Sequence, residues 1–265
     1  MKVELLLYFI LISFILAEED IIDDVEVLKN RVWEGYETKV GAHYYAYSPY
    51  LVGYSTVTSF ITLPSHLNTR SGSRNAYISF GVLGLYGSID LGIMNSGNGW
   101  CPYHYDIKKQ EFKAYKDYFA PYGTKIVGLE LEVNSNRIVK FALTYREANL
   151  KVLSYFQKRM DLSHILVYEE GKVKNRFYRF ASLVPTGEDD QNDGTYMVGG
   201  QFTGLTIVKN NNGYPWGIAE DNIDVAWKVS TKRMHITYDD KTDVFDIAHN
   251  KDGTIPFNMR RINII

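Results

Sequence analysis

The stretch that decides the fold is Val127-Gly-Leu-Glu-Leu-Glu-Val133, which is followed by Asn134-Ser135-Asn136 and by a second run, Val139–Tyr145. In both runs apolar side chains alternate with Gly, Glu, Lys, Ala or Thr. An alternation of period two places every apolar side chain on one face of a strand. Two such runs around a short Asn/Ser turn therefore predict a β-hairpin with one buried face.

The same alternation, bounded by clusters of Gly, Ser, Asn and Asp, predicts further strands along the chain. They are 56–63, 76–85, 88–94, 151–156, 165–168, 177–184, 200–208, 225–229, 234–238 and 244–248. Many short strands with almost no helix indicate an all-β protein, a two-sheet antiparallel β-sandwich of the jelly-roll type. A closed barrel is the alternative architecture.

One segment has helical character, because Lys108–Phe119 is rich in Lys and Glu and carries aromatic residues at intervals of three. We expect a short amphipathic helical turn there, ended by Pro121-Tyr122-Gly123. No repeat of fixed period and no low-complexity linker interrupts the chain. We therefore expect one β-sandwich domain over residues 33–265, preceded by an acidic tail over 18–32.

The first seventeen residues, Met1–Ala17, have a lysine, an apolar run and a small final residue. This pattern predicts a secretory signal peptide cleaved after Ala17, with an uncleaved anchor as the alternative. The apolar run is shorter than the roughly 20 residues of a membrane helix. We expect a secreted, extracellular protein without a membrane span after signal cleavage.

The composition excludes some classes of partner. The 265 residues carry 29 Lys and Arg against 31 Asp and Glu, a net charge of −2. A dedicated nucleic-acid binder would show a basic excess, so no nucleic-acid partner is expected. The 21 Tyr, 13 Phe and 4 Trp accompany one cysteine, Cys101, which forms no internal disulfide. Cys101 is either buried or available for pairing between chains.

Two stretches resemble the concanavalin A-like jelly roll of lectins, laminin-G modules and glucanases. The first is Ala76–Gly81 continued by Gly87–Asn95, similar to a pair of laminin-G strands, and the second is Tyr196–Ile207, similar to a late strand with a G-G-x-F-x-G pattern. The resemblance implies a sandwich architecture and says little about activity.

Paired carboxylates are one candidate for catalysis. Glu130 and Glu132 stand two residues apart on one predicted strand and therefore share a face. Retaining glycosidases use two carboxyl groups about 5 Å apart. The chain lacks the intervening Asp and the third acidic residue of the glucanase motif, so a solvated strand face is the alternative interpretation.

The densest polar and aromatic cluster is Trp100-Cys101-Pro102-Tyr103-His104-Tyr105-Asp106, which follows a Gly- and Asn-rich loop. His104 could act as a base oriented by Asp106, or Tyr103 and Tyr105 as acid and base of a lyase. The alternative is local packing of aromatic side chains at a loop rim.

Other residues are candidates for binding. Trp100, Tyr103 and Trp216 offer flat rings, and Arg70 and Arg74 could pair with an anionic ligand. Asp189 and Asp193 have the spacing of a calcium loop, although the Glu expected at its twelfth position is Gly200. A Ca²⁺ ion is therefore a candidate cofactor, and a solvated polar turn without a metal is the alternative.

These features lead us to expect a secreted module that binds an extracellular ligand, with a glycan favoured over a protein ligand. A secreted polysaccharide hydrolase or lyase is the first alternative. An adhesive protein that associates through Cys101 is the second.

Overall fold

The computed structural model describes residues 42–48, 53–69, 74–95, 97–185, 195–209, 212–215, 234–239 and 244–249. Contacts divide the chain into the units Met1–Thr38 and Lys39–Ile265, and all described residues lie in the second. The predicted signal peptide and acidic tail lie outside the described residues and stay predictions.

The described residues form strands and a single three-residue 3-10 helix. The strands are β1 (Ala42–Tyr47), β2 (Tyr54–Thr62), β3 (His66–Asn68), β4 (Arg74–Gly84), β5 (Gly87–Asn95), β6 (Trp100–Asp106), β7 (Glu111–Ala114), β8 (Ile126–Val133), β9 (Ile138–Arg146), β10 (Val152–Asp161), β11 (Val167–Glu169), β12 (Lys172–Pro185), β13 (Tyr196–Lys209), β14 (Asn212–Pro215), β15 (Met234–Asp239) and β16 (Val244–His249). The 3-10 helix is Lys116–Tyr118.

The strands make two antiparallel sheets. In the described part of the chain, one sheet has seven strands in the order β1-β12-β4-β5-β6-β7, with β11 beside β12. The other has nine, in the order β10-β9-β8-β2-β13-β16-β15, with β3 and β14 beside β13. The predicted all-β, two-sheet antiparallel sandwich is confirmed. The alternative closed barrel is wrong, because the strands separate into two sheets.

The predicted hairpin is the β8–β9 pair. Leu131 lies opposite Phe141 and Leu129 opposite Leu143, and all four side chains are buried. The apolar faces of both sheets join in one core, where Phe80 of the seven-stranded sheet stacks on a ring of the nine-stranded sheet, Phe202, with centroids 5.9 Å apart. Burial of this area is the main force that holds the sheets together.

The predicted helical character of Lys108–Phe119 is confirmed only as one short turn near the end of the segment. Gln110 adopts a left-handed conformation with φ of 56°, which lets the chain reverse into β7. Strand β7 then pairs with β6, so tertiary pairing overrides the local helix propensity. Only the 3-10 helix at Lys116–Tyr118 is helical in this segment. Nowhere in the described ranges is there a helix long and apolar enough to cross a membrane.

Candidate functional site

The face of the nine-stranded sheet turned away from the core carries a polar and aromatic surface. It presents the residues that alternate with the apolar ones on β2, β8, β9 and β10. Cross-strand register aligns them in two rows, Thr58–Glu130–Ala142–Gln157 and Phe60–Gly128–Thr144–Tyr155. Side chains directly opposite one another in antiparallel strands are close enough to interact, so each row forms a continuous strip.

A groove crosses this face because small residues lie between two large rings. Phe60 and Tyr155 stand three strands apart and are 40% and 53% exposed. Between them, Gly128 and Ala142 form the floor of a depression of about 230 Å³. A Cβ added at Gly128 would meet Phe60 and Thr144 only at 3.6 Å, an ordinary contact distance. We call this depression, lined by these residues with Thr58, Glu130 and Arg146, the Gly128 groove.

One end of the groove carries an ion-pair network. Lys140 donates through its Nζ to Glu130 Oε1 at 2.6 Å and to Glu132 Oε2 at 3.4 Å. The hydrogen bond to Glu130 is the main reason why the pKa of Lys140 is raised above its usual value of 10.5, so the ammonium stays protonated. The predicted pairing of Glu130 and Glu132 on one face is present. However, both carboxylates are held by one ammonium rather than separated into an acid and a nucleophile.

The other end of the groove carries a guanidinium. Arg146 donates through one Nη to the Leu150 carbonyl at 2.8 Å, and its Cζ lies 5.9 Å from the centroid of the Phe60 ring. Its Nε is buried and makes no hydrogen bond with any described residue. An unsatisfied buried donor costs free energy, and a ligand could relieve this cost only if the side chain moved to expose the nitrogen.

The predicted cluster over Trp100–Asp106 is strand β6, and its alternation separates the candidate residues. Tyr103 and Tyr105 lie on one face of the sheet, and His104 and Asp106 lie on the opposite, core-side face. Tyr103 is 1% exposed, and its hydroxyl lies 2.7 Å from Ser79 Oγ. The Tyr105 hydroxyl donates to Gln110 Oε1 at 2.7 Å. The predicted catalytic combinations of these four residues are therefore not assembled around one ligand position.

His104 and Asp106 share a face but make contacts with different residues. His104 Nδ1 lies 2.9 Å from the Tyr115 hydroxyl, and burial lowers the pKa of His104 below 6.5. Asp106 is buried and lies 2.5 Å from Nε2 of His164, in the turn after β10. The Asp106–His164 contact ties the end of β6 in one sheet to a turn leaving the other sheet. We interpret both pairs as structural.

The opposite face of the seven-stranded sheet carries a second polar arrangement that the sequence analysis missed. The Tyr178 hydroxyl donates to Asp90 Oδ1 at 2.5 Å, and its ring passes directly over Gly81. The Ser79–Tyr103 hydrogen bond passes over Gly92 in the same way. In both cases a glycine on the middle strand lets side chains from its two neighbours meet. All four polar side chains are buried, so these bridges hold the sheet together.

Of the remaining predicted residues, those that the structure describes do not form a site. Trp100 is 8% exposed and Cys101 2%, so neither presents a surface to a ligand or to a second chain. Burial raises the pKa of Cys101 to about 11, which disfavours a reactive thiolate. Arg74 begins β4. The candidates Arg70, Asp189, Asp193 and Trp216 lie outside the described residues, and the calcium site with them stays a prediction. Within the described ranges, no three His, Cys, Asp or Glu side chains cluster as metal ligands would.

Sequence reasoning identified Glu130 but missed the rest of the Gly128 groove. The signal was present at the strand positions that alternate with the buried apolar residues. At these positions Gly128 and Ala142 are small, whereas Phe60 has a large ring. An exposed aromatic residue at a polar position of a strand, near small residues on the next strands, indicates a groove once the register is known.

Comparison with known proteins gives architecture alone. No protein-family model matches the chain, and no curated protein matches its sequence. The fold is similar to Scytalido-glutamic peptidase bound to a peptide-based transition state analogue, with a TM-score of 0.45 and 8% identity over 80% of this chain and 100% of the peptidase. It is similar to SCP-B, an Eqolisin-family peptidase in complex with the tripeptide Ala-Ile-His, with a TM-score of 0.46 and the same identity and coverage. A Saccharomyces cerevisiae protein of unknown function aligns with a TM-score of 0.25 and 12% identity over 56% of this chain and 74% of its own.

These findings correct the predicted function. The expected carbohydrate-binding module, with its polysaccharide-degrading and adhesive alternatives, is contradicted because Scytalido-glutamic peptidase and SCP-B are both peptidases. The resemblance to the concanavalin A-like jelly roll is confirmed only as a two-sheet β-sandwich, and no concanavalin A-like family is shown.

Proposed function

We propose that the chain binds an extended peptide segment of a protein partner in the Gly128 groove. The observation that carries the proposal is the groove itself, with two exposed rings over a glycine and alanine floor. Pockets for whole small molecules usually enclose about 300–1,000 Å³. A smaller, open depression of about 230 Å³ suits one large side chain of a longer ligand whose remaining residues lie on the sheet.

The polar groups of the groove define what the peptide carries. Glu130 lies opposite Ala142, and Arg146 follows Ala142 by four residues on the same strand. At about 3.3 Å per residue, the two charged ends are roughly 13 Å apart, the span of four residues of extended chain. A peptide running along the strands would place an aliphatic or aromatic side chain over Gly128. It would bring a carboxylate or carbonyl to the Arg146 guanidinium and a backbone N–H to Glu130.

A second candidate function is cleavage of the bound peptide, and the position of Glu130 favours it. This carboxylate lines the groove, and it would have to release the Lys140 ammonium before it could accept a proton. A carboxylate in that position could take a proton from a water whose oxygen attacks the peptide carbonyl, and the proton would pass to the leaving amine. Cleavage requires Glu130 as base, whereas binding requires only the groove.

The test is selection of a displayed library of random heptapeptides on the purified protein. Selected peptides should share an apolar or aromatic residue and should bind Phe60→Ala and Tyr155→Ala at least about tenfold more weakly, because each ring forms one wall of the groove. Tyr168→Ala is the matched control, since Tyr168 is equally exposed at 47% but lies on β11 of the other sheet. Equal loss of affinity in all three variants, or no selected peptide at all, would contradict the proposal.

Mass spectrometry of the same peptides after incubation separates the two functions. New termini that disappear in Glu130→Gln support cleavage. Intact peptides that still lose affinity in Phe60→Ala support binding alone. New termini that persist in Glu130→Gln exclude Glu130 as the base.

A further inference from the structure

One edge of the nine-stranded sheet is a long strand, whose pairing shifts register only near its start, between Val152 and Ser154. Strand β10 runs from Val152 to Asp161 and pairs with β9 along one side. In the part of the chain that the structure describes, no strand pairs with its other side. The corresponding edge strand of the seven-stranded sheet, β7, has only four residues. Long free edges are templates for an added strand, and proteins usually shorten or cover them.

The register identifies which backbone groups of β10 face outward. Leu162 N donates to Arg137 O at 2.9 Å, in register with the pairing of Phe156 with Leu143 and of Lys158 with Phe141. Along an antiparallel pair of strands, residues whose backbone N–H and C=O groups bond to the partner strand alternate with residues whose groups point away from it. From Ser154 to Met160, after the register shift, the even-numbered residues therefore bond to β9. The N–H and C=O groups of Tyr155, Gln157 and Arg159 point to the free edge.

The charge of this edge favours one kind of partner. Lys158 and Arg159 are exposed, and neither forms an ion pair with a described residue. Their side chains lie on opposite faces of the strand, so two consecutive acidic residues of an added strand would reach both. A second copy of the chain would instead bring the same cations together, and like charges across an interface disfavour association.

We propose that the β10 edge binds an extended acidic segment of a protein partner by β-strand addition. The partner segment continues the sheet through the outward backbone groups of Tyr155, Gln157 and Arg159, and it carries adjacent carboxylates opposite Lys158 and Arg159. This surface shares Tyr155 with the Gly128 groove, but the edge uses its backbone groups, whereas the groove uses its ring on the sheet face. The inference stands without the proposed function.

The probe is the labelled peptide acetyl-Thr-Glu-Glu-Thr-Val-Val-Thr-amide, with the Lys-Lys version as its charge control. Fluorescence anisotropy should show that the acidic peptide binds at least about tenfold more tightly than the basic one, with a difference that shrinks as salt is added. Gln157→Pro removes an outward N–H and leaves the bonds to β9 in place, so it should weaken binding at least about tenfold. Gln157→Ala, the matched control, should bind within about twofold of the original chain.

Charge reversal keeps the test decisive if the proline variant does not fold. Lys158→Glu combined with Arg159→Glu changes two exposed side chains and should reverse the preference towards the basic peptide. Phe60→Ala should not alter binding of either peptide, which separates this edge from the groove. Equal affinity for both peptides, full binding by a folded Gln157→Pro, or a peptide-sensitive dimer of the chain would overturn the proposal.

Discussion

Two glycines in strand interiors should respond to the same substitution with opposite effects on stability. In Gly92→Ala, the new Cβ would overlap Ser79 Oγ and the Ile78 carbonyl oxygen and would lie 2.6 Å from Ser79 Cα. Two of these atoms are backbone atoms of the neighbouring strand β4, so no rotation of a side chain relieves the overlap. Forcing extra volume into a packed site costs about 1–3 kcal/mol, occasionally more.

Gly128→Ala is the matched comparison. Its Cβ would meet only side-chain atoms, at 3.6 Å or beyond. Replacing glycine by alanine without strain stabilises a protein by about 0.4–1 kcal/mol through the unfolded chain. We therefore expect Gly92→Ala to be less stable than Gly128→Ala by about 1.4–4 kcal/mol. For a chain of this size that corresponds to a difference in melting temperature of about 3–16 °C.

The assay is thermal and urea unfolding followed by circular dichroism, with the slope of the urea transition checked for equality among the variants. Equal stability of the two variants would refute the close approach of β4 and β5 over Gly92. It would also remove the structural reason for the Ser79–Tyr103 bridge. A loss of stability in Gly128→Ala would show that the floor of the groove is filled.

Three further outcomes are expected. Tyr178→Phe should lower stability by about 1–3 kcal/mol in urea unfolding, because buried Asp90 loses a hydrogen-bond donor. An unchanged midpoint of the urea transition would show that this hydrogen bond does not stabilise the folded protein. The pKa of His104 is lowered in the folded state, so the unfolded chain takes up more protons as the pH falls through about 6.5 and stability is lost there. His104→Asn should flatten this dependence in unfolding measured from pH about 7.5 to about 5.5, and an identical slope would assign it to other groups. Cys101 should resist a thiol-specific reagent until the chain is unfolded in urea, and rapid labelling of the native protein would contradict its burial.

The fold was predictable where one periodicity extended over a whole strand. The β8–β9 hairpin shows this, because alternation alone identifies Leu129, Leu131, Phe141 and Leu143 as one buried face. The prediction was correct only in part at Lys108–Phe119, where local composition favours a helix and one 3-10 turn forms. Glu111–Ala114 forms a strand because β6 offers a pairing partner, which the local sequence does not reveal.

The candidate site was less predictable than the fold. Glu130 was identified from its spacing to Glu132. The groove depends on Phe60 and Tyr155, which are far apart in sequence and are placed on opposite sides of one groove only by the register of four strands. The aromatic cluster over Trp100–Asp106 was favoured as a site because its residues are adjacent in sequence. In a strand, the side chains of adjacent residues point to opposite faces. The residues of this cluster are therefore divided between the core-side face and the opposite face of the sheet.

The measurement that tests the central claim most directly is the affinity of a selected heptapeptide for Gly128→Val. The valine side chain would fill the floor of the groove, while its Cβ makes only ordinary contacts. The matched control is Thr56→Val, which places the same side chain on the same face of the sheet, outside the groove lining. We predict at least about a tenfold loss of affinity for Gly128→Val and a change within about twofold for Thr56→Val. Undiminished binding to a folded Gly128→Val would contradict peptide recognition by this groove.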